Sequence, residues 1–518
     1  MALFSEKQHT FARALGKLAR CNPFLPERIE AEREALGPEF VAAGPVWHAR
    51  ADRQAEHPNL RKINDRAQAL AEELRARLHR GIRAVPEDVG LYEEIVLYLL
   101  YNRYEDDLYQ LIAERRVAAG TVDFYTHFHD DLERYLTAPG RVSPAGQEPA
   151  HVFALFFQIR RAFHFIFRNI IGGSLPAARL RAAVWQSIFT HDLIRYRRSL
   201  YARMGDIPTL IAGPSGTGKE LVAQAIGLSR YIPFDAAKRT FQTNFGASFH
   251  ALNLSALPPT LIESELFGHK RGAFTGAVQD RVGWLETCSP LGTVFLDEIA
   301  EVDVAIQVKL LRVLEARTFQ RVGEAKERLF QGKLVAATNR DLGTEMRAGR
   351  FREDLYYRLC ADLVQTPLLQ ARLCDSPQEL HDLLLFLAQR LVGEAEVEAL
   401  THEAEEWITK HLGRGYQWPG NVRELEQCLR NVMIRGEYRQ PRRAASMAHD
   451  SLVQRIISGS LTTDELMRSY CTLSYARTGS YLETARRLRL DRRTVKEKID
   501  VKLLERLRAE FGTQTNEA

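Results

Sequence analysis

Cysteine is scarce in this chain: six residues in 518 (Cys21, Cys288, Cys360, Cys374, Cys428 and Cys471), with no Cys-x-x-Cys pair or other metal-like spacing. That sparseness excludes a disulfide-built scaffold and fits a reducing cytoplasm. Long apolar runs are lacking too. The most apolar stretch, Val152 to Ile171, is broken by Arg160, Arg161 and Arg168, so no membrane span is expected, and the first residues have no signal-peptide core. Net charge is also small, +5 from 71 Lys or Arg against 66 Asp or Glu. With 45% hydrophobic and 26% charged residues, the composition is that of a folded protein, and the length suggests about three domains.

The charge is unevenly spread. From Pro441 to Ala518 there are 15 Lys or Arg against 10 Asp or Glu, so the whole excess of five lies in the tail and the first 440 residues are neutral. Basic charge gathered at one end often meets a polyanion. Two segments read as linkers: Thr137 to Ala150, rich in Pro, Gly, Ser and Ala, and Gly436 to Asp450, polar and basic.

The N-terminal part reads as helical. Leu60, Ile63, Ala67, Leu70, Leu74 and Leu78 recur at three- and four-residue steps behind a candidate cap at Asn59, as in a helix packed within a bundle or in a short coiled coil. Phe153, Phe156, Phe157, Phe163, Phe165 and Phe167 read as core or domain interface rather than a ligand pocket. His127, His129, Asp130 and Asp131 could bind a metal, but a solvated polar turn is the plainer reading.

In the centre, strands alternate with amphipathic helices. Thr209 to Ala212, Thr293 to Leu296 and Leu334 to Ala337 read as buried parallel strands, and Val302, Ala305, Lys309, Leu310, Val313 and Leu314 follow a helical period. An α/β sheet with its chemistry at the carboxyl ends of the strands is implied. After the first strand stands Gly213-Pro214-Ser215-Gly216-Thr217-Gly218-Lys219-Glu220. Such a loop curls its N–H groups around phosphates at a helix N-terminus, and Lys219 reaches the β and γ phosphates. Glu220 stands where a generic phosphate loop has a Mg²⁺-binding hydroxyl. The second strand ends in Asp297 and Glu298, suited to hold Mg²⁺ and to polarise an attacking water; acidic residues there could also just cap the next helix. The third strand ends in Thr338 and Asn339, placed for the γ-phosphate or the water.

Between these strands lies Gly272-Ala273-Phe274-Thr275-Gly276-Ala277, and an aromatic on a surface loop stabilises nothing unless it meets a partner. This loop resembles the signature of the sigma-54-dependent transcription activators, a branch of the AAA+ ATPases. The resemblance covers roughly 171–432. It includes Ile171-Gly172-Gly173-Ser174, the Lys219-Glu220 ending, Leu266 to His269, Phe295 to Ile299, Lys309 to Leu314, Ala336 to Leu342, Gly349 to Leu359 and Trp418 to Leu425. It implies that Arg352 and Arg358 act as arginine fingers on ATP bound by a neighbouring subunit, hence a ring, a hexamer that rests as a dimer. A guanidinium delivered in trans stabilises charge on a transferring phosphoryl group. It also implies that Arg423 is a second sensor in a helical lid, that Asn253 holds Glu298 from the water until signalled, that Asp297, with Glu220, holds Mg²⁺, and that Phe274 and Thr275 engage sigma-54.

Three departures stand out. Pro214 replaces a Glu at a position that contributes backbone. Leu228 to Phe249 is about a dozen residues longer than usual, so this loop is expected to contact something specific. Around Leu368 to Pro377 the usual pattern is degraded, which puts lid attachment or nucleotide contact there in doubt.

In the tail, Gly479 to Ile499 reads as helix-turn-helix: Ala485, Leu488, Val495 and Ile499 face inward, and Arg492, Arg493, Thr494, Lys496 and Lys498 are left for a major groove. It resembles the Fis-type DNA-binding domain. A helical hairpin with a solvated basic face is the alternative. The expected order is a helical regulatory domain of unknown ligand (1–165), an AAA+ α/β P-loop ATPase subdomain (169–368), its α-helical lid (369–440), a linker (441–460) and an all-α helix-turn-helix (461–518). The N-terminal part has neither the βα alternation nor the acidic pocket of a phosphoacceptor receiver. The resemblance implies an activator that hydrolyses ATP to open the sigma-54 polymerase complex; a DNA-binding regulator whose ATPase domain only assembles is the competing reading.

Overall fold

The computed structural model describes residues 2–42, 58–82, 84–113, 120–137, 148–413, 415–439, 461–501 and 503–504. The chain divides into two compact units, Met1–Glu437 and Tyr438–Ala518. Most of the two segments read as linkers, 138–147 and 440–460, lies outside the described residues.

Five strands form the parallel sheet of the first unit: β1 (Thr209–Ala212), β2 (Phe249–Asn253), β3 (Thr293–Asp297), β4 (Lys333–Thr338) and β5 (Asp362–Gln365), in the order β5-β1-β4-β3-β2. Three are those expected from their apolar runs. The two that sequence patterning missed are the edges, where Phe-His-Ala-Leu-Asn and Asp-Leu-Val-Gln mix polar with apolar residues because one side of an edge strand is less covered. Register sets the site: Ala212 lies opposite Thr338 and Asn253 opposite Asp297, so the carboxyl ends of four strands finish level.

Among the described residues eight α-helices precede the sheet: α1 (Glu6–Arg20), α2 (Glu27–Leu36), α3 (Pro58–His79), α4 (Pro86–Ala113), α5 (Tyr125–Leu136), α6 (Pro149–Asn169), α7 (Leu175–Phe189) and α8 (Leu193–Arg198). The expected stripe is the inner face of α3, with Ile63, Ala67, Leu70 and Leu74 buried against α2 and α4, so it packs within a bundle. Asn59 is not the cap. It lies inside α3, buried, and its side-chain amide both accepts from and donates to the backbone of Val41 at 2.9 Å. His127, His129, Asp130 and Asp131 lie on helix α5, not a turn. Among the described residues no group of three or more His, Cys, Asp or Glu converges as a metal site.

Helix α6 joins the bundle to the parallel sheet. It is apolar nearly all round, as a helix must be that is covered on every side. It packs on α4 and α5 and also on the helix that follows the phosphate loop, Lys219–Gly227. Arg161, fully buried in it, donates to the carbonyls of Leu228 (2.9 Å) and Arg230 (2.5 Å), Gln158 donates to Ser229 O (2.9 Å), and Asn169 to Leu221 O (3.0 Å). The long segment after the phosphate-loop helix meets the same helix from outside. Its short hairpin (Phe234–Asp235 with Thr240–Phe241) sets Phe241 4.2 Å from Phe157 and Phe234 4.6 Å from Tyr125, centroid to centroid, and Phe245 lies beside Phe165. Val122 N–H completes the join by donating to Arg239 O at 2.8 Å. Burying three such rings contributes about 1.5–3 kcal/mol each. The expected specific contact of this insertion is therefore with the N-terminal bundle.

Four helices, Leu369–Asp375, Gln378–Gln389, Val397–His411 and Asn421–Arg435, form the lid. The degraded stretch at its start still attaches. Arg372 forms a buried ion pair with Glu379, whose carboxylate accepts from Ser174 N (2.9 Å), and Asp375 accepts from Leu175 N (2.7 Å).

In the second unit, three helices (Thr463–Thr478, Tyr481–Leu488 and Arg492–Glu497) pack in sequence. The first opens with a capping box, Thr462 with Glu465. Val495, Ala485, Thr484, Cys471 and Tyr475 are among its buried side chains, whereas Leu488 and Ile499 are half-buried. Among the described residues no helix is long and apolar enough to cross a membrane.

Candidate functional site

The phosphate loop begins where β1 ends. Gly213 N donates to Thr338 O across to β4, and a Cβ on Gly213 would lie 2.0 Å from the Thr366 hydroxyl, so only glycine permits this approach. Gly216 and Gly218 have φ of +77° and +89°, the left-handed turns that aim successive N–H groups into the loop. Thr217 is locked by bonds to Pro214 O (2.8 Å) and Thr366 Oγ1 (2.7 Å). Lys219, buried at the start of its helix, donates to Gly213 O (3.0 Å) and Pro214 O (3.4 Å). Pro214 thus serves through its carbonyl. Ser215 is exposed at the tip, and Glu220 is exposed on the first helical turn, accepting from Gln224 (3.4 Å).

Across the loop, Glu298 stands 3.9 Å from the Lys219 ammonium. Burial lowers the Lys219 pKa from its ordinary value, while the Glu298 and Asp297 carboxylates pull it back up. Glu298 has φ +56°, ψ +52°, a left-handed conformation that costs a non-glycine residue free energy. That turn releases it from the strand direction and lets its carboxylate accept from Asn339 N (3.1 Å) while its own N–H donates to Asp297 Oδ1 (3.1 Å). Asn339 is exposed, but Thr338 is buried with its hydroxyl accepting from Arg340 N (3.1 Å). Of the two polar groups expected at the end of this strand, Asn339 faces the site and Thr338 braces the turn. Asn253 is directed elsewhere than its expected partner Glu298: its side-chain oxygen accepts from Ser255 N (3.0 Å) and Ser255 Oγ (2.8 Å), closing the turn after β2.

The lid covers the loop. Asn421 Nδ2 donates to Ser215 O (3.0 Å), Arg423 to Ser215 Oγ (3.1 Å), and Val422 N to Gly216 O (3.0 Å). Arg423 therefore sits at the phosphate loop. Asn421 was not foreseen, although its place after Trp418-Pro419-Gly420 and its φ of +51° mark a constrained residue.

The two finger candidates flank helix Glu353–Leu359. Arg352 caps its start and forms a bidentate pair with Asp354 (3.0 and 2.6 Å), while Arg358 near its end reaches Glu315 (2.9 Å). Gln307, also unforeseen, holds this segment: it accepts from Arg352 N (2.8 Å) and donates to Arg350 O (2.9 Å) and Val302 O (3.0 Å).

The Gly272–Ala277 loop is the tip of a hairpin whose base pairs Gly268–His269 with Arg281–Val282. Gly272 N donates to Ala277 O (2.9 Å), and Gly272 and Gly276 have φ of +80° and +101°. Asp280 fastens the base through Arg271 N (2.8 Å) and Lys270 Nζ (2.6 Å). Phe274 is 38% exposed, its ring edge-on to His269 at 4.9 Å, and Ala273 rests against Gly323 of a second hairpin, Thr318–Gln320 with Glu327–Leu329. The His269 ring is in turn fixed by Ser264 (2.7 Å).

Residues 190–364 match the family described as the sigma-54 interaction domain. Regulatory protein LuxO from Vibrio cholerae is 42% identical over 245 residues, which are 47% of this chain and 50% of that protein. The Nif-specific regulatory protein of Azotobacter vinelandii is 46% identical over 228 residues, 44% of this chain and 40% of its own. The chain thus spans about half the length, or less, of these curated relatives. NtrX from Brucella abortus, solved in complex with ATP, aligns over 74% of this chain and 80% of its own with a TM-score of 0.38 and 21% identity. Within the matched residues, Lys219, Asp297, Glu298 and Asn339 meet at the strand ends, and Phe274 stands on a separate projecting hairpin.

In the tail, Arg492, Arg493 and Lys496 are exposed, and Thr494 is half-buried. Lys498 differs: it is half-buried beyond the helix end and its ammonium pairs with Asp464, so it ties the last helix to the first.

Proposed function

We propose that the chain is a sigma-54-dependent transcription activator that hydrolyses ATP to remodel the closed complex of sigma-54 RNA polymerase into the open one. The observation that carries this reading is one domain holding both a phosphate loop with Glu298 poised beside Lys219 and a braced hairpin that exposes Phe274. ATP lies with its phosphates in the Gly213–Lys219 loop, Lys219 turning from the loop carbonyls to the β and γ phosphates. Asp297, with Glu220, would hold Mg²⁺, which when bound neutralises charge on the transferring phosphoryl group. Glu298 orients the attacking water and takes its proton. Its bond from Asn339 links the water's position to the end of β4. Arg352 and Arg358 reach the nucleotide of the next subunit in a ring, a hexamer assembled from resting dimers, and release Asp354 and Glu315 to do so. Arg423 and Asn421 report phosphate-loop occupancy to the lid. The tail binds upstream DNA through Arg492, Arg493, Thr494 and Lys496, and residues 1–165 set the activity in response to a ligand or protein.

The test is transcription in vitro with sigma-54 holoenzyme. Wild type is expected to need hydrolysable ATP, and Thr275→Ala to hydrolyse ATP yet fail to open the promoter. Normal activation by Thr275→Ala overturns the reading, and a lack of Lys219-dependent hydrolysis at any protein concentration favours a regulator that only assembles.

A further inference from the structure

Behind the phosphate-loop helix, at the amino ends of the sheet strands, lies a cavity of about 200 Å³. It is walled by the N-terminal bundle and the ATPase sheet together, and it plays no part in the chemistry above. Three polar groups at its wall lack the partner their burial calls for. Ser229 is fully buried and its hydroxyl has no hydrogen-bond partner. Lys333, 3% exposed, donates to the carbonyls of Ile207 (2.7 Å) and Met204 (3.4 Å), and Arg230 to that of Gly292. Neither cation forms a salt bridge with a carboxylate among the described residues. The nearby acids are engaged elsewhere: Asp362 accepts from Ser187 and Thr209, and Asp206 pairs with Arg317. Burial lowers the pKa of both cations, Lys333 to about 8 and Arg230 to about 10. A buried charge without a countercharge is costly, and so is a buried hydroxyl without a partner. One anion would satisfy all three. The rest of the wall is mostly apolar or aromatic, including Ile226, Leu291 and Tyr231, and its two other polar side chains, Gln158 and Ser187, are already bonded to Ser229 O and Asp362; the volume admits about one ring.

We propose that this cavity is a binding site for a small organic carboxylate with an apolar body, the carboxylate facing Arg230, Lys333 and Ser229. Ser229 lies one residue past the C-cap of the phosphate-loop helix, Leu228; Gln158 of α6 holds its carbonyl and Arg161 holds those of Leu228 and Arg230 on either side. Occupancy therefore bears on the helix that carries Lys219. That consequence rests on the ATPase reading of the preceding section; binding does not.

The test uses the full chain, with benzoate as probe and benzamide as its uncharged counterpart, binding measured by calorimetry and by thermal shift, and ATP hydrolysis measured alongside. Benzoate is expected to bind and raise Tm, with benzamide at least about tenfold weaker, the worth of a hydrogen bond to a charged group. Ser229→Ala, which removes an unsatisfied buried hydroxyl and so keeps the fold, is expected to weaken benzoate several-fold; Arg230→Gln is expected to weaken it about tenfold or more. No benzoate binding at millimolar concentration, equal binding of benzamide, or unchanged affinity in both variants overturns the proposal. Absent hydrolysis with intact benzoate binding sinks the ATPase reading alone, and binding that leaves hydrolysis unchanged removes the coupling.

Discussion

The carboxylate of Glu298 accepts the backbone N–H of Asn339 while standing 3.9 Å from the ammonium of Lys219. One strained residue thus spans two strand ends, which holds its carboxylate beside the phosphate loop without occupying it. Glu298→Gln keeps the shape and the Asn339 bond but cannot take a proton. We expect nucleotide affinity to stay within a few-fold of wild type and kcat to fall by about 10²–10⁴, checked by steady-state turnover alongside equilibrium nucleotide binding. Equal loss of both would assign Glu298 to binding.

The acid partners of Arg352 and Arg358 within their own chain point to a complementation experiment. Lys219→Ala lacks a nucleotide site but keeps its fingers; Arg352→Ala lacks a finger but keeps its site. Each alone is expected to be inactive, and a mixture is expected to recover part of the wild-type hydrolysis at interfaces that pair one intact site with one intact finger. A mixture as inactive as its components would place Arg352 in cis.

Phe241 lies 4.2 Å from Phe157 across the seam between the insertion and α6. Phe241→Ala is expected to cost about 3–5 kcal/mol, read from the urea midpoint at constant slope. Asp235→Ala, at the half-exposed rim of the same hairpin, is expected to cost less than about 1 kcal/mol.

Lys333 gives the fold a pH signature. Its pKa falls to about 8 in the folded chain from 10.5 for an exposed lysine, through burial against the opposing pull of Asp362 and with Arg230 and Arg317 nearby. The unfolded chain therefore binds more protons between these values, and this residue's contribution to stability rises with pH from about 8 to 10.5. Lys333→Met is expected to flatten that rise in pH-dependent denaturant melts; a slope unchanged by the substitution would contradict the assignment.

For the tail, Arg492→Ala and Arg493→Ala are each expected to weaken DNA binding and lower the salt slope of log K by about one. Lys498→Ala is expected to leave that slope nearly unchanged, since its ammonium is held by Asp464, and to destabilise the three-helix unit instead. Anisotropy titrations across a salt series separate the two.

Much of the candidate site was legible because its pattern is local: glycines at fixed spacing make the loop, and two carboxylates follow an apolar strand. Less legible were the partners set by tertiary register. Asn253 faces Asp297 in the sheet, yet its side chain closes its own turn. Thr338 and Asn339 are neighbours in sequence but alternate between interior and site, as strand residues do. Gln307 and Asn421 were missed because a single amide in a helix carries no pattern; only the fold reveals the unpaired backbone groups they meet. The edge strands β2 and β5 lacked the unbroken apolar run of a central strand. The N-terminal bundle was legible as helices, but nothing in a stripe of phenylalanines says which of two neighbours it will pack against, and α6 packs against both.

That double packing of α6 has a consequence for how such chains can be recombined. A crossover placed after the bundle would cut away the helix on which the phosphate-loop helix lies and strand Phe234, Phe241 and Phe245 of the insertion in water. Exchanging the N-terminal part of this protein means moving two discontinuous pieces together, the first six helices and the segment 228–249. The modular unit is a matched pair, and its two halves can only be inherited or engineered in step.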